Sequence, residues 1–238
     1  MFVIEKTFKD IAMAHRVASQ NLLGLPNKCK SFHGHNYSIT WRLYASNKVR
    51  IDGNDKVKPS MVLDYNFLSY DVVKSLAKQL GTTILHPKDL DHKIFFNITD
   101  EFERRLLHAY LKIHLEIVAK ENQKVSQKYQ DYLSQVEDTV TKLASYPMPA
   151  IVSLPVFIVE NVDEGQEVTQ DHVYTDEILN GVVIANFEPT AENLAQYLCF
   201  ELEKVVNGFN LPNVFRIEAI VKETDNTDAR FSKELVRF

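Results

Sequence analysis

The chain has 238 residues, 45% of them hydrophobic and 25% charged, with a formal net charge of −5. That is the composition of an ordinary soluble globular protein with room for one large domain or two small ones. The charge is spread without a long acidic or basic run, so nothing here marks a nucleic-acid partner, and no apolar run is long enough to span a bilayer.

Phe2 to Phe8 alternates well enough to form a first strand, although Glu5, Lys6, Lys9 and Asp10 interrupt the apolar stretch that a signal peptide would need. A cytoplasmic protein is expected. Tyr37, Ile39, Trp41 and Leu43 alternate with polar residues in a second strand, expected to pair with the first as a long hairpin. Asp52 to Asp55 marks a turn and Met61-Val62-Leu63 a short strand. Asp64 then reads as the cap of a helix that runs over Asn66 to Leu80.

From Ile98 to Tyr146 there is no glycine and no proline. Phe102, Leu106, Tyr110, Ile113 and Ile117 recur at helical spacing, as do Val125, Tyr129, Tyr132, Val136, Val140 and Leu143. Either one very long helix or a helical hairpin is expected. His108 and His114 lie six apart, off any shared helical face, and are not ligand candidates. Ile151 to Glu160 reads as a strand interrupted by Pro155, hence an edge strand. A further helix is expected over Thr190 to Val206. Phe215, Ile217, Ala219 and Val221 then define a last half-buried strand. If that strand continues, Glu223 points to its apolar face, and an inward carboxylate requires a donor.

Lys28-Cys-Lys-Ser-Phe-His-Gly-His-Asn-Tyr37 places a thiol just upstream of two imidazoles separated by one glycine. In an extended strand residues two apart share a face, so His33 and His35 can both aim a nitrogen at one ion. A catalytic zinc usually has three protein ligands and one open position, and His15 is the nearest upstream candidate for the third. Only two cysteines are present, which fits reduced thiols in a reducing compartment. Cys199 lies in a helical pattern and is expected to pack, whereas Cys29 sits in a polar, lysine-flanked loop that suits a reactive thiol.

Six segments stand in order along the chain: Ala14-His15-Arg16, Cys29 to His35, Met61 to Tyr65, Leu90-Asp91-His92, Pro189 to Asn193, and Glu223-Thr224. Together they resemble the 6-pyruvoyltetrahydropterin synthase and 6-carboxytetrahydropterin synthase family. The resemblance covers residues 1–97 and 186–238 as one discontinuous domain. It leaves 98–185 as a mainly helical insertion followed by a possible edge strand. It implies an α+β tunnelling fold (T-fold), an antiparallel sheet with two helices on one face. It also implies a homo-oligomer, a hexamer of two stacked trimers with the pocket between subunits.

The implied substrate is 7,8-dihydroneopterin triphosphate and the implied cofactor zinc, held by His15, His33 and His35. Cys29 would act as general base, His92 oriented by Asp91 would move the second proton, and Glu223 would anchor the pterin ring with Thr190 and Glu192 nearby. Lys28 and Arg16 are candidates for the triphosphate and stay unassigned. Three residues between Cys29 and His33 resemble the carboxy branch. That branch makes 6-carboxy-5,6,7,8-tetrahydropterin, acetaldehyde and triphosphate, on the 7-deazaguanine (queuosine precursor) route. His33 to Tyr37 and Glu223 to Asn226 look more like the pyruvoyl branch, which keeps every side-chain carbon. A non-catalytic pterin-binding member of the fold is the remaining alternative, and intact Cys29 and histidines argue against it.

Overall fold

The computed structural model describes residues 1–19, 27–46, 64–121, 126–154, 158–160, 173–175, 177–224 and 226–235. In chain order the elements are β1 (Phe2–His15), β2 (His33–Ala45), α1 (Tyr70–Gln79), β3 (Lys93–Asn97), α2 (Glu101–Glu121), α3 (Ser126–Ala144), β4 (Ile151–Ser153), β5 (Ile158–Glu160), β6 (Val173–Thr175), α4 (Glu177–Asn180), β7 (Val182–Ala185), α5 (Ala191–Gly208), β8 (Val214–Thr224) and β9 (Thr227–Glu234). The expected turn at Asp52 to Asp55 and strand at Met61 to Leu63 lie outside the described residues.

One compact unit comprises Met1–Met13, Gly34–His92 and Thr190–Phe238. Its strands run in the order β1, β2, β8, β9, with β2 antiparallel to β8 and β8 antiparallel to β9. Tyr37, Ile39, Trp41, Leu43 and Ala45 form the buried face of β2, as their alternation predicts. Opposite them in register, Ile217, Ala219 and Val221 of β8 are fully buried. The other face carries polar side chains, where Arg42 on β2 donates to its cross-strand partner Glu218 at 2.6 Å.

Helix α5 lies against β8 and β9, and α1 packs on α5. The apolar positions of α5, from Leu194 through Leu198 and Leu202 to Val206, are buried at helical spacing. Its start is set by the Thr190 hydroxyl, which accepts from the Asn193 N–H. The first helix begins later than expected. The Asp64 carboxylate accepts from the Asn66 N–H and caps a 3-10 turn over Tyr65–Leu68, and the α-helix starts only at Tyr70.

The second unit comprises Ala14–His33 and Lys93–Pro189. Here β7 pairs parallel with β3 and antiparallel with β4, which leaves β4 at an edge of this part of the sheet. Of the expected strand Ile151 to Glu160, the described residues form β4 and β5, and β5 pairs with β6. Helices α2 and α3 form the hairpin alternative, sharing one core with Val182 and Ile184.

The periodicity of α3 holds, with Tyr132, Val136, Val140 and Leu143 buried. That of α2 holds only in part, since Leu106 and Tyr110 of the expected stripe pack against the core. Its core row is Leu107, Leu111 and Leu115, all at most 1% exposed, while Phe102, Ile113 and Ile117 of the expected stripe face solvent at 51–60% exposure. Two apolar rows run side by side on this helix, and spacing alone does not say which of them faces the sheet. Among the described residues no helix is long and apolar enough to cross a membrane.

Candidate metal and substrate site

Strand β1 extends past the expected Phe8 to His15, and its side-chain parity changes on the way. Ile4 and Phe8 are buried before Asp10; Ile11, Met13 and His15 are buried after it. Asp10 has φ of 57°, in the left-handed region that aspartate tolerates better than most residues. One extra residue of this kind is the signature of a β-bulge, and a one-residue shift moves every following side chain to the opposite face. His15 thereby reaches the buried side, at 3% exposure.

The ring of His15 then lies 4.7 Å, centroid to centroid, from that of His33 at the start of β2. Nδ1 of His15 is 2.6 Å from the Pro189 carbonyl, and Nδ1 of His33 is 2.8 Å from the Ser31 carbonyl. A carbonyl only accepts, so both rings carry their proton on Nδ1 and present Nε2 as the lone-pair nitrogen. This is the tautomer control that metal-ligating histidines usually have.

Two residues further along β2, on the same face, Nε2 of His35 lies 3.1 Å from Oε1 of Glu223 at the end of β8. The Tyr37 hydroxyl donates to the same oxygen at 3.1 Å. The inward carboxylate expected from the alternation of β8 therefore has its donor in Tyr37, which the sequence pattern alone does not single out. Ligand atoms of His15, His33, His35 and Glu223 all lie within 4.8 Å of one another. A tetrahedral zinc with Zn–N bonds of about 2.0–2.1 Å sets its donors roughly 3.3 Å apart, and a group of four such ligand atoms could hold a metal ion. Three imidazoles and a carboxylate form a donor set that suits zinc.

The remaining expected site residues are placed as follows. Cys29 is half-buried in a 3-10 turn over Lys28–Lys30; its N–H donates to Oδ1 of Asn27 at 2.9 Å and its carbonyl accepts from the Val17 N–H at 2.8 Å. Asp91 accepts from the Ala12 N–H at 3.0 Å, and its carboxylate lies 3.8 Å from Nε2 of His92. The His92 side chain is 84% exposed, on a residue with φ of 56°. Thr190 caps α5, and Glu192 is an exposed acid in the first turn of that helix, positions that helix-capping chemistry alone favours. Cys199 is fully buried, and burial pushes its thiol up to about 12, so it packs and does not react.

The family model for 6-pyruvoyl tetrahydropterin synthase matches residues 4–234. No curated protein matches. Among solved structures, 6-pyruvoyl tetrahydropterin synthase from Plasmodium vivax aligns with a TM-score of 0.41 and 14% identity, covering 99% of this chain and 100% of that one. An uncharacterized protein from Wolinella succinogenes aligns with a TM-score of 0.49 and 20% identity, covering 98% of each chain. The Plasmodium falciparum synthase gives 0.39 and 13%, covering 98% of this chain and 99% of that one.

The family match over nearly the whole chain makes this a protein of the tetrahydropterin synthase class, with the α+β T-fold of that class. This chain belongs to the 6-pyruvoyl tetrahydropterin synthase family, spanned from Ile4 to Glu234. Members of that family are lyases that act on pterin substrates.

Proposed function

We propose that this chain is a zinc-dependent lyase that converts 7,8-dihydroneopterin triphosphate to 6-carboxy-5,6,7,8-tetrahydropterin, with release of acetaldehyde and triphosphate. The observation that carries this reading is the group of three imidazoles and one carboxylate, two of the rings held by backbone carbonyls in the ligating tautomer. His15, His33 and His35 would hold the zinc, which supplies Lewis-acid polarisation of the substrate's side-chain oxygens.

Within that reading the chain's own groups do the rest. Glu223, steadied by Tyr37, accepts hydrogen bonds from the amino group and adjacent N–H of the pterin ring, which fixes the ring beside the imidazoles. Cys29 removes a proton from the polyol side chain, and His92 with Asp91 moves a second one. Thr190 and Glu192 line the pterin end. The exposure of His92 supports an assembly in which a neighbouring copy receives that ring, as in a hexamer of two trimers. Residues 98–185 are an insertion into the 1–97 and 186–238 domain, and they contribute β7 alongside β3. The product enters 7-deazaguanine synthesis in the cytoplasm.

Three residues between Cys29 and His33 favour the carboxy product, while His33 to Tyr37 and Glu223 to Asn226 favour the pyruvoyl product as the second reading. Metal analysis combined with incubation on 7,8-dihydroneopterin triphosphate separates them. Zinc with acetaldehyde release supports the carboxy reaction, a pyruvoyl product replaces it with the second reading, and zinc without turnover leaves a binding protein. Cys29→Ala is expected to retain zinc and lose product, and normal turnover by that variant removes Cys29 from the mechanism.

A further inference from the structure

We propose that Arg16 is a positioning residue for Cys29, and that the buried carboxylate of Glu103 on α2 holds Arg16 in place. The inference rests on the reading above that Cys29 takes part in the reaction. It gives the helical segment, which the sequence leaves without a purpose, a direct hand in the site.

Arg16 follows His15 at the end of β1. Its Nε donates to the Lys30 carbonyl at 2.7 Å, and the N–H of the next residue, Val17, donates to the Cys29 carbonyl at 2.8 Å. Two consecutive residues therefore clamp the turn that carries Cys29 to the chain leaving His15. The thiol and the first imidazole are thus referenced to the same four residues of backbone.

The other end of the guanidinium is fixed by the start of α2. One terminal nitrogen donates to Glu103 Oε1 at 3.2 Å and lies 3.5 Å from Asp100 Oδ1, and the group sits over the Phe102 ring with Cζ 4.9 Å from its centroid. Glu103 is fully buried, and its second oxygen accepts from the Asn97 N–H at 2.7 Å. Asp100 Oδ1 also accepts from the Glu103 N–H at 2.9 Å, so the first turn of α2 forms a prebuilt acidic socket. A carboxylate this deeply buried needs a cation and hydrogen-bond donors to remain charged. Arg16 is the cation in question. Its charge is accordingly committed to α2, which removes it from the candidates for the substrate's triphosphate.

Arginine can serve both ends because its planar fork presents donors in two directions at once, whereas a lysine ammonium reaches one acceptor cluster or the other. This separates a positioning role from simple packing and gives the test. In the full-length protein well below its melting temperature, alkylation by iodoacetamide reads the setting of Cys29 alone, since Cys199 is fully buried; Cys29→Ser supplies the blank.

Arg16→Lys and Glu103→Gln are each expected to change the Cys29 alkylation rate by about fivefold or more and to lower kcat about tenfold, with KM within about twofold. Zinc content should stay at the wild-type level. Val136→Ala loosens the same helical core without touching Arg16 and should leave the alkylation rate unchanged. Wild-type alkylation rates in both Arg16→Lys and Glu103→Gln overturn the proposal, as does an equal change in Val136→Ala. Both informative variants keep size and polarity, so the test does not depend on a truncation that fails to fold. Turnover by Cys29→Ala would overturn the role of the thiol, while the alkylation rates would still decide whether Arg16 and Glu103 set its position.

Discussion

The Tyr37 hydroxyl donates to Glu223 Oε1 at 3.1 Å, joining the two central strands one step beyond the Ser38 to Lys222 register pair. The tyrosine is 1% exposed, so this donor is locked by the core and cannot follow a displaced carboxylate. Tyr37→Phe keeps the ring and removes only the bond. If Glu223 anchors the pterin, KM should rise about five- to tenfold with a smaller effect on kcat, in line with the loss of one hydrogen bond to a charged group. Steady-state kinetics on the wild type and the variant check this, and an unchanged KM would detach Tyr37 from substrate binding.

The donor set predicts a metal stoichiometry. Wild-type protein should carry about one zinc per chain, and His33→Ala should lose most of it, because removing one of three imidazoles leaves an incomplete first shell. Elemental analysis after dialysis against a weak chelator reads this directly. Thermal melting should show the wild type stabilised by added zinc and His33→Ala indifferent to it.

His86 supplies a pH dependence of its own. It is fully buried among Phe8, Trp41 and Tyr70, its Nδ1 accepts from the Lys88 N–H at 3.1 Å, and its Nε2 donates to the Leu68 carbonyl at 3.3 Å. Burial pushes its pKa from 6.5 down to about 4. On acidification the unfolded chain takes up this proton first, so stability is complete above about 6.5 and is lost progressively down to about 4. The loss amounts to something on the order of 3 kcal/mol. Urea unfolding between pH 7 and pH 4 should show a shallower slope in His86→Asn, which retains a capping acceptor and does not titrate. An identical slope would place the acid sensitivity elsewhere.

Asp10 is where β1 changes parity. A β-branched residue is strained at φ of 57°, so Asp10→Val should lower stability by about 1–2 kcal/mol, while Asp10→Gly should be close to neutral. Because His15 lies beyond the bulge, Asp10→Val should also weaken zinc retention. Denaturant titration and metal analysis of the two variants test both effects, and equal stability of the valine and glycine forms would mean that the left-handed backbone is not needed.

Much of the fold is legible in the chain because it depends on local alternation. The period of two in β2 and β8 and the helical row of α5 each declare a buried face, and those faces are the ones that pack. The row in α2 misleads, since Leu107, Leu111 and Leu115 run beside an equally apolar row and only the neighbouring β3 and β7 select between them. His86 and Glu103 also escape notice. A single histidine before a proline and a glutamate in the first turn of a helix both read as ordinary surface residues until the surrounding chain covers them.

By itself the sequence determined the chemical inventory. His33 and His35 share a face because a strand repeats every two residues, and Glu223 points inward for the same reason. What only the tertiary structure decided is how distant segments meet. The bulge at Asp10 turns His15 to the buried face, the Pro189 and Ser31 carbonyls leave Nε2 of two rings as the lone-pair nitrogen, and Arg16 is consumed by Glu103 and Lys30. Each of these depends on backbone geometry or on a partner far along the chain, and neither is encoded in the spacing of neighbouring residues.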